Sequence, residues 1–434
     1  MLIMEKDGHD LKKLLQQTLE SNRAKYLKVF TDLVGIDTQT IGHGIGGGKE
    51  INGQRYLEQL LPSMGAEIEK DYIDENTIRE ALERYNEGNL GHNNTDRYNL
   101  IATFHGNPKA RSILFNGHMD TMPIGNLEEW NSEPIKATEK DGKFFGLGTS
   151  DMKSGTAAAV SAIMLLQDAG ISLPGTVRLV SVVDEEGGGN GSLCATMHGY
   201  NADAAVLCEP TDCKIITANM GFIFFNVTVK GVSLHSGLKW QGVNAIEKAV
   251  LLMDALSELE KDWMMNYKHP LLPVPSINIG VINGGVAGSS VPSECSFKLC
   301  LHYIPGVMSY QSAYDDVVNT IMTRCAGDKW LRDNPPKLEV YQKGGAFETD
   351  RSLPFVQAVY ESQCIAAGSA QLDVSCSGND SRFYQTIAKI PVVTFGPGHA
   401  GKGHRPNEYI EIENYYRCIL AYAHLILGWC KPTD

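Results

Sequence analysis

Short apolar runs alternate with amphipathic stretches through the first two hundred residues. The pattern over about residues 11–34 predicts an opening amphipathic helix. Residues 101–105 and the run "ILF" at 113–115 are β-branched and aromatic, as strands prefer. Residues 156–169 are apolar nearly all round and stop at Gly170, which reads as a buried helix. "TVRLVSVV" and "ADAAVL" are continuous apolar runs of strand length. Alternation of this kind predicts an α/β fold with a mostly parallel sheet covered on both faces.

Beyond Pro210 the rhythm changes. "GFIFFNVTVKG" alternates like a half-exposed strand. A helix near 243–259, strands "SINIGVING" and "ECSFKLCLHYI", a helix near 309–325 and the strand "KLEVYQ" follow. The order β-α-β-β-α-β is that of a ferredoxin-like module. It predicts an inserted domain at 215–343 interrupting a first domain of 1–214 and 344–434. The first domain resumes with a helix near 354–368 and the strand "PVVTF". Residues 71–98 are highly polar and read as a surface excursion with one short helix. The glycine-rich "GHGIGGGKE" at 42–50 lacks the spacing and flanking elements of a phosphate loop and reads as a flexible loop.

Several strands end in the same chemistry. "ILF" runs into Asn116, Gly117, His118 and Asp120; "TVRLVSVV" into Asp184, Glu185 and Glu186; "ADAAVL" into Glu209; "PVVTF" into a loop with His399 and His404. Asp151 and Lys153 stand just before the buried helix. Open α/β sheets bind ligands outside the carboxyl ends of their strands. Carboxylates and imidazoles converging there are donors for a catalytic transition metal. Without cations so many carboxylates could not all remain ionised. Two divalent ions, three carboxylate ligands and one bridging hydroxide balance in charge, as in two-metal hydrolases.

Composition narrows the setting. The chain has 434 residues and a net charge of −13, which argues against nucleic acid or an anionic membrane as partner. The N-terminal "MLIMEKDGHDLKKLL" carries charges where a signal peptide needs an apolar core, and no apolar stretch is long enough to span a bilayer. Ten scattered cysteines without a C-x-x-C pair read as free thiols of a cytoplasmic protein.

The ordered set "GHMDT", "GLGTSDMKSG", "DEEGGGNGS", "EPT", "GVSLHSG" and "GHRPNEY" resembles the di-zinc aminoacylase and exopeptidase family. That family includes acetylornithine deacetylase, succinyl-diaminopimelate desuccinylase and carboxypeptidase G. The resemblance spans nearly the whole chain and implies that the inserted module is a lid and dimerisation domain. It implies two divalent ions per chain, zinc first, with cobalt or manganese as substitutes. His118 and Glu209 would bind one ion, Glu186 and His404 the other, and Asp151 both. Asp120 would orient His118, and a cis peptide would follow Asp151. Glu185 matches the general base. His235 matches a histidine that reaches the partner subunit's active site and stabilises the oxyanion.

Rival readings stand beside these. Asp120 and Asp184 also suit loop caps, and His235 suits a turn. His399 is the bystander of the pair with His404, because "HRPNEY" carries the family's closing pattern. The remaining histidines, His43 and His92 among them, lack ligand spacing. "SGNDSRFY" resembles a family segment whose arginine, here Arg382, pairs with a substrate carboxylate. Ser289 stands where the family usually has asparagine, and His302 where arginine is common, so the acyl pocket departs from the standard one. The expected activity is hydrolysis of the amide of an N-acyl amino acid or related small carboxylate. A di- or tripeptidase or carboxypeptidase on the same scaffold is the alternative. An inactive binding protein would need a lost ligand or base, and none is missing.

Overall fold

The computed structural model describes residues 8–432. The chain divides into two compact units, one of 1–217, 349–373 and 379–434, the other of 218–348 and 374–378. The second unit begins later than position 215 because strand Ile215–Asn219 is hydrogen-bonded into the large sheet, with Ile216 opposite Thr394.

At the centre of the first unit four strands run parallel in the order Val392–Thr394, Ala205–Leu207, Ile113–His118 and Val177–Val182. The sheet as a whole is mixed, which corrects the expectation of a mostly parallel one. Tyr98–Phe104 lies antiparallel to Val177–Val182, Glu67–Tyr72 antiparallel to Tyr98–Phe104, and Ile215–Asn219 antiparallel to Val392–Thr394. The reason is connection length. A parallel return needs a crossover of about a dozen residues or more. The links 105–112 and 208–214 are shorter than that and carry no helix.

Helix Lys153–Asp168 is buried from Lys153 to Leu166 and packs against helices Gly8–Val34 and Ile412–Trp429. Its run of alanines lets these helices approach closely. Leu15, Phe30, Ile163, Leu165, Tyr415 and Ile419 fill the layer against Ile113 and Phe115 of the sheet. Each such side chain contributes about 1.5–3 kcal/mol on full burial. A smaller cluster of Ile78, Ala81, Leu193, Cys194 and Phe383 covers another part of the unit. Residues 71–98 are therefore not a surface excursion. They contain helix Glu75–Tyr85, capped by Asp74, and they bury Asp71, Ile73, Ile78, Ala81 and Arg97. Residues 42–50 are not a free loop either: Thr40–Gly44 pairs with Gly47–Gly48 in a short hairpin.

The second unit is an antiparallel sheet ordered Ser276–Gly284, Glu294–Tyr303, Gly221–Lys230 and Lys337–Gly344. Helices Ala245–Asn266 and Tyr310–Ala326 join with one set of alternating residues, including Ile223, Phe225, Val227, Phe297 and Leu299, in its core. Ser276–Gly284 is an edge strand, and Val281 and Ile282 on it are exposed. All ten cysteines are free thiols, and seven are buried. Among the described residues no helix is long and apolar enough to cross a membrane.

Candidate metal centre and active site

The four parallel strands point their carboxyl ends the same way, so the loops after them meet. His118 is the last residue of its strand and is buried. Its Nε2 stands 3.0 Å from Asp151 Oδ1 and 3.7 Å from Glu209 Oε2. His404 Nε2 stands 2.8 Å from Glu186 Oε2 and 3.2 Å from Asp151 Oδ2. Asp151 thus lies between two donor sets, one with His118 and Glu209, the other with Glu186 and His404. Donor atoms of His118, Asp151 and Glu186 lie within 4.8 Å of one another, as do those of His118, Glu185 and Glu209.

The donor set fits divalent cations. Burial first, and then the neighbouring carboxylates Asp151, Asp380 and Glu186, hold the Glu209 carboxyl well above its ordinary range against the pull of His118. Burial and Asp151 likewise raise Glu186, with His404 opposing. Glu185 is pushed well up by burial, Asp380 and Glu209. Positive charge at the centre relieves this mutual repulsion, and imidazole nitrogens facing carboxylate oxygens are the ligands that zinc-type ions take.

Two of the expected site residues support the loops around the centre. Asp120 does not turn its carboxylate squarely onto His118: its Oδ1 is 3.7 Å from Nδ1. His118 Nδ1 instead meets the Asp120 backbone carbonyl oxygen at 2.8 Å. The Asp120 carboxylate accepts the backbone N–H groups of Glu185 at 3.3 Å and Glu186 at 2.9 Å. One residue thereby orients a candidate ligand and the loop carrying the candidate base. Arg382, expected to meet a substrate carboxylate, has protein partners on its guanidinium. It is buried, and its guanidinium donates to Glu87 at 3.3 Å, the Asn379 carbonyl at 2.8 Å and the Gly188 carbonyl at 2.9 Å. Its charge braces the loop after Glu186 and faces Asp380 at 3.5 Å.

Glu408, the residue before the last in the motif "HRPNEY", is a site residue that the sequence pattern did not mark. The strand Tyr409–Glu411 pairs with Lys143–Phe145, which sets Glu408 beside the turn before Asp151. Its carboxylate accepts the N–H groups of Gly148 at 3.0 Å, Ser150 at 2.6 Å and Asp151 at 2.8 Å. The next peptide, Asp151–Met152, is cis. Lys153 is buried, donates to the Ile36 carbonyl at 2.7 Å, and is pushed down to about 7 by burial. A Cβ on Gly403 would lie 2.7 Å from Asp151 Oδ2, so glycine there lets the His404 loop close on the aspartate.

His399 accepts the N–H of Gly401 at 3.2 Å and stacks edge-on against Tyr409. In the second unit His235 is exposed and accepts the N–H of Gly237 at 3.1 Å through Nδ1. Ser289 is beside it, its carbonyl accepting the N–H of Ser236 at 2.9 Å. His302 stands half-buried on its strand, with Cys300 Sγ at 3.9 Å.

The model of the peptidase family M20/M25/M40 matches residues 114–428. N-formyl-4-amino-5-aminomethyl-2-methylpyrimidine deformylase of Bacillus subtilis is 31% identical over 362 residues, covering 77% of this chain and 83% of that protein. A tripeptidase from Staphylococcus aureus has the same fold, with a TM-score of 0.72 at 22% identity over 93% of this chain and 98% of that one. A dinuclear metal-binding peptidase of the M20 family from Bacillus subtilis has a TM-score of 0.65 at 15% identity, over 95% of this chain and 100% of that one.

Proposed function

This chain belongs to the peptidase family M20/M25/M40 and hydrolyses amide bonds; from that premise we propose that it removes a small acyl group from an N-acyl amino acid or related small carboxylate. The observation that carries the mechanism is Glu185. Its neighbours are committed, Glu186 to His404 and Asp120 to backbone N–H groups. The Glu185 carboxylate is held by no hydrogen bond of this kind, and it lies within ligand reach of His118 and Glu209.

His118 and Glu209 would hold one divalent ion, Glu186 and His404 the other, and Asp151 both, with zinc the expected metal and cobalt or manganese able to substitute. When bound, such ions polarise the scissile carbonyl and acidify water. Glu185 takes the proton from the attacking water and passes it to the leaving amine nitrogen, so that the C–N bond breaks as a neutral amine departs. Asp120 keeps Glu185 and Glu186 in place through their N–H groups.

The second unit acts as lid and dimerisation domain in this reading. Its edge strand with exposed Val281 and Ile282, followed by the exposed Val286, supports a homodimer, because such an edge otherwise invites uncontrolled pairing. His235 of one copy would donate to the oxyanion in the other, with Ser289 beside it as a substrate contact. Free thiols throughout support a cytoplasmic setting. The deformylase relative favours a deacylase, and the shared fold of the tripeptidase keeps a peptidase as the second reading. Comparing kcat/KM across N-formyl, N-acetyl and N-succinyl amino acids and unblocked di- and tripeptides tests this. Preference for the acylated set by tenfold or more is expected; preference for free peptides overturns it.

A further inference from the structure

The polar segment 71–98 places a buried ion cluster behind the loop that carries Glu185. Asp184, the residue before it, is fully buried with φ of 63°. Aspartate is one of the few residues that enter left-handed backbone, and a fully buried carboxylate there needs partners that hold it. Three donors do so here. His92 Nδ1 stands 2.7 Å from Oδ2, Asn190 Nδ2 donates to Oδ2 at 2.9 Å, and Arg97 donates to Oδ1 at 3.0 Å. Arg97 also bonds Glu50, which is itself fully buried. The hairpin of residues 40–48 seals this cluster: a Cβ on Gly44 would lie 2.2 Å from Asp184 Oδ1 and 2.5 Å from His92 Nδ1, and its φ is +85°. From the other side the Asp120 carboxylate holds the N–H groups of Glu185 and Glu186.

We propose that His92 and Arg97 are positioning residues for the general base. By clamping the Asp184 carboxylate they set the backbone of the residue that precedes Glu185. The Glu185 carboxylate then stands at the centre, within ligand reach of His118 and Glu209. This rests on Glu185 being the base, and the test separates the two claims.

The experiment compares His92→Ala, His92→Asn and the charge-balanced pair Arg97→Met with Glu50→Gln, measuring kcat, KM, bound metal and Tm, with Glu185→Gln alongside. A misplacement of about 1 Å costs roughly 10²-fold in rate. Losing one donor of three in His92→Ala should therefore cost about tenfold in kcat, with KM and metal content kept. The asparagine amide reaches the place of Nδ1, so His92→Asn should return kcat toward wild type. The pair should lose more than His92→Ala. The proposal is overturned if His92→Ala keeps kcat within about twofold of wild type, if His92→Asn is as slow as His92→Ala, or if kcat falls only in step with lost metal. An active Glu185→Gln would remove the base assignment itself, whatever the His92 variants do.

Discussion

Replacing Glu408 by alanine removes the acceptor of three main-chain N–H groups, those of Gly148, Ser150 and Asp151. A buried donor left without a partner costs about 1–3 kcal/mol. Water entering the vacated space recovers part of this, so about 3–6 kcal/mol is expected in total. For a domain of this size that corresponds to a fall in Tm on the order of 10 °C. Glu408→Gln is milder. Its amide oxygen can take the place of Oε1, which accepts from Ser150 and Asp151, while its NH2 group meets the Gly148 N–H donor to donor. That variant should lose about 1–3 kcal/mol. Thermal unfolding of the metal-free proteins isolates this effect from metal linkage, and metal titration then reads the consequence at Asp151. The alanine variant should bind both ions more weakly, because its defect lies under the residue shared by the two donor sets. If alanine lowers Tm by less than about 2 °C, or leaves both metal affinities unchanged, Glu408 does not hold the Asp151 turn.

Asp151→Ala should weaken both metal ions together, whereas His404→Ala should weaken mainly one; elemental analysis after refilling with zinc distinguishes them. His424 is buried on the last helix and pushed down to about 4 by burial and by Lys12. Its folded pKa lies below its unfolded one, so the unfolded chain binds more protons between about pH 4 and 6.5. Stability should fall with acidification through that window, by about 2 kcal/mol from this residue at pH 5. His424→Leu should therefore narrow the gap in Tm between pH 7.5 and pH 5, and an unchanged gap would contradict this. Mixing inactive His235→Ala with inactive Glu185→Gln protein and allowing subunit exchange should restore activity, since one site of the mixed dimer has both groups. Exchange without activity removes His235 from the partner's site.

The donors were readable because parallel strands bury their length and expose their ends. An apolar run stopping abruptly at His118, Asp184 or Glu209 marks the sheet edge where loops gather. The sheet's outer strands were misread because strand direction follows connection length, a property of the link and not of the apolar run. Residues 71–98 were misread for another reason. A buried ion cluster has the composition of a surface: Arg97, Glu50 and Asp184 are as polar as any exposed stretch, and only their mutual pairing lets them sit inside. Arg382 shows the same limit. Its motif marked a functional neighbourhood, while one carboxylate that it faces, Glu87, lies almost three hundred positions away. For Asp120 the resemblance implied that it orients His118; the backbone carbonyl makes that contact and the carboxylate serves the next loop.

The central claim, that Glu185 moves the proton in amide hydrolysis, is tested most directly by the turnover of Glu185→Gln protein refilled with zinc. The substitution removes a charge and a base while keeping the side chain's size. General-base catalysis contributes about 10²–10⁴-fold. The account predicts a fall in kcat of that size with two ions still bound and the fold unchanged; kcat within about threefold of wild type at full metal content would contradict it.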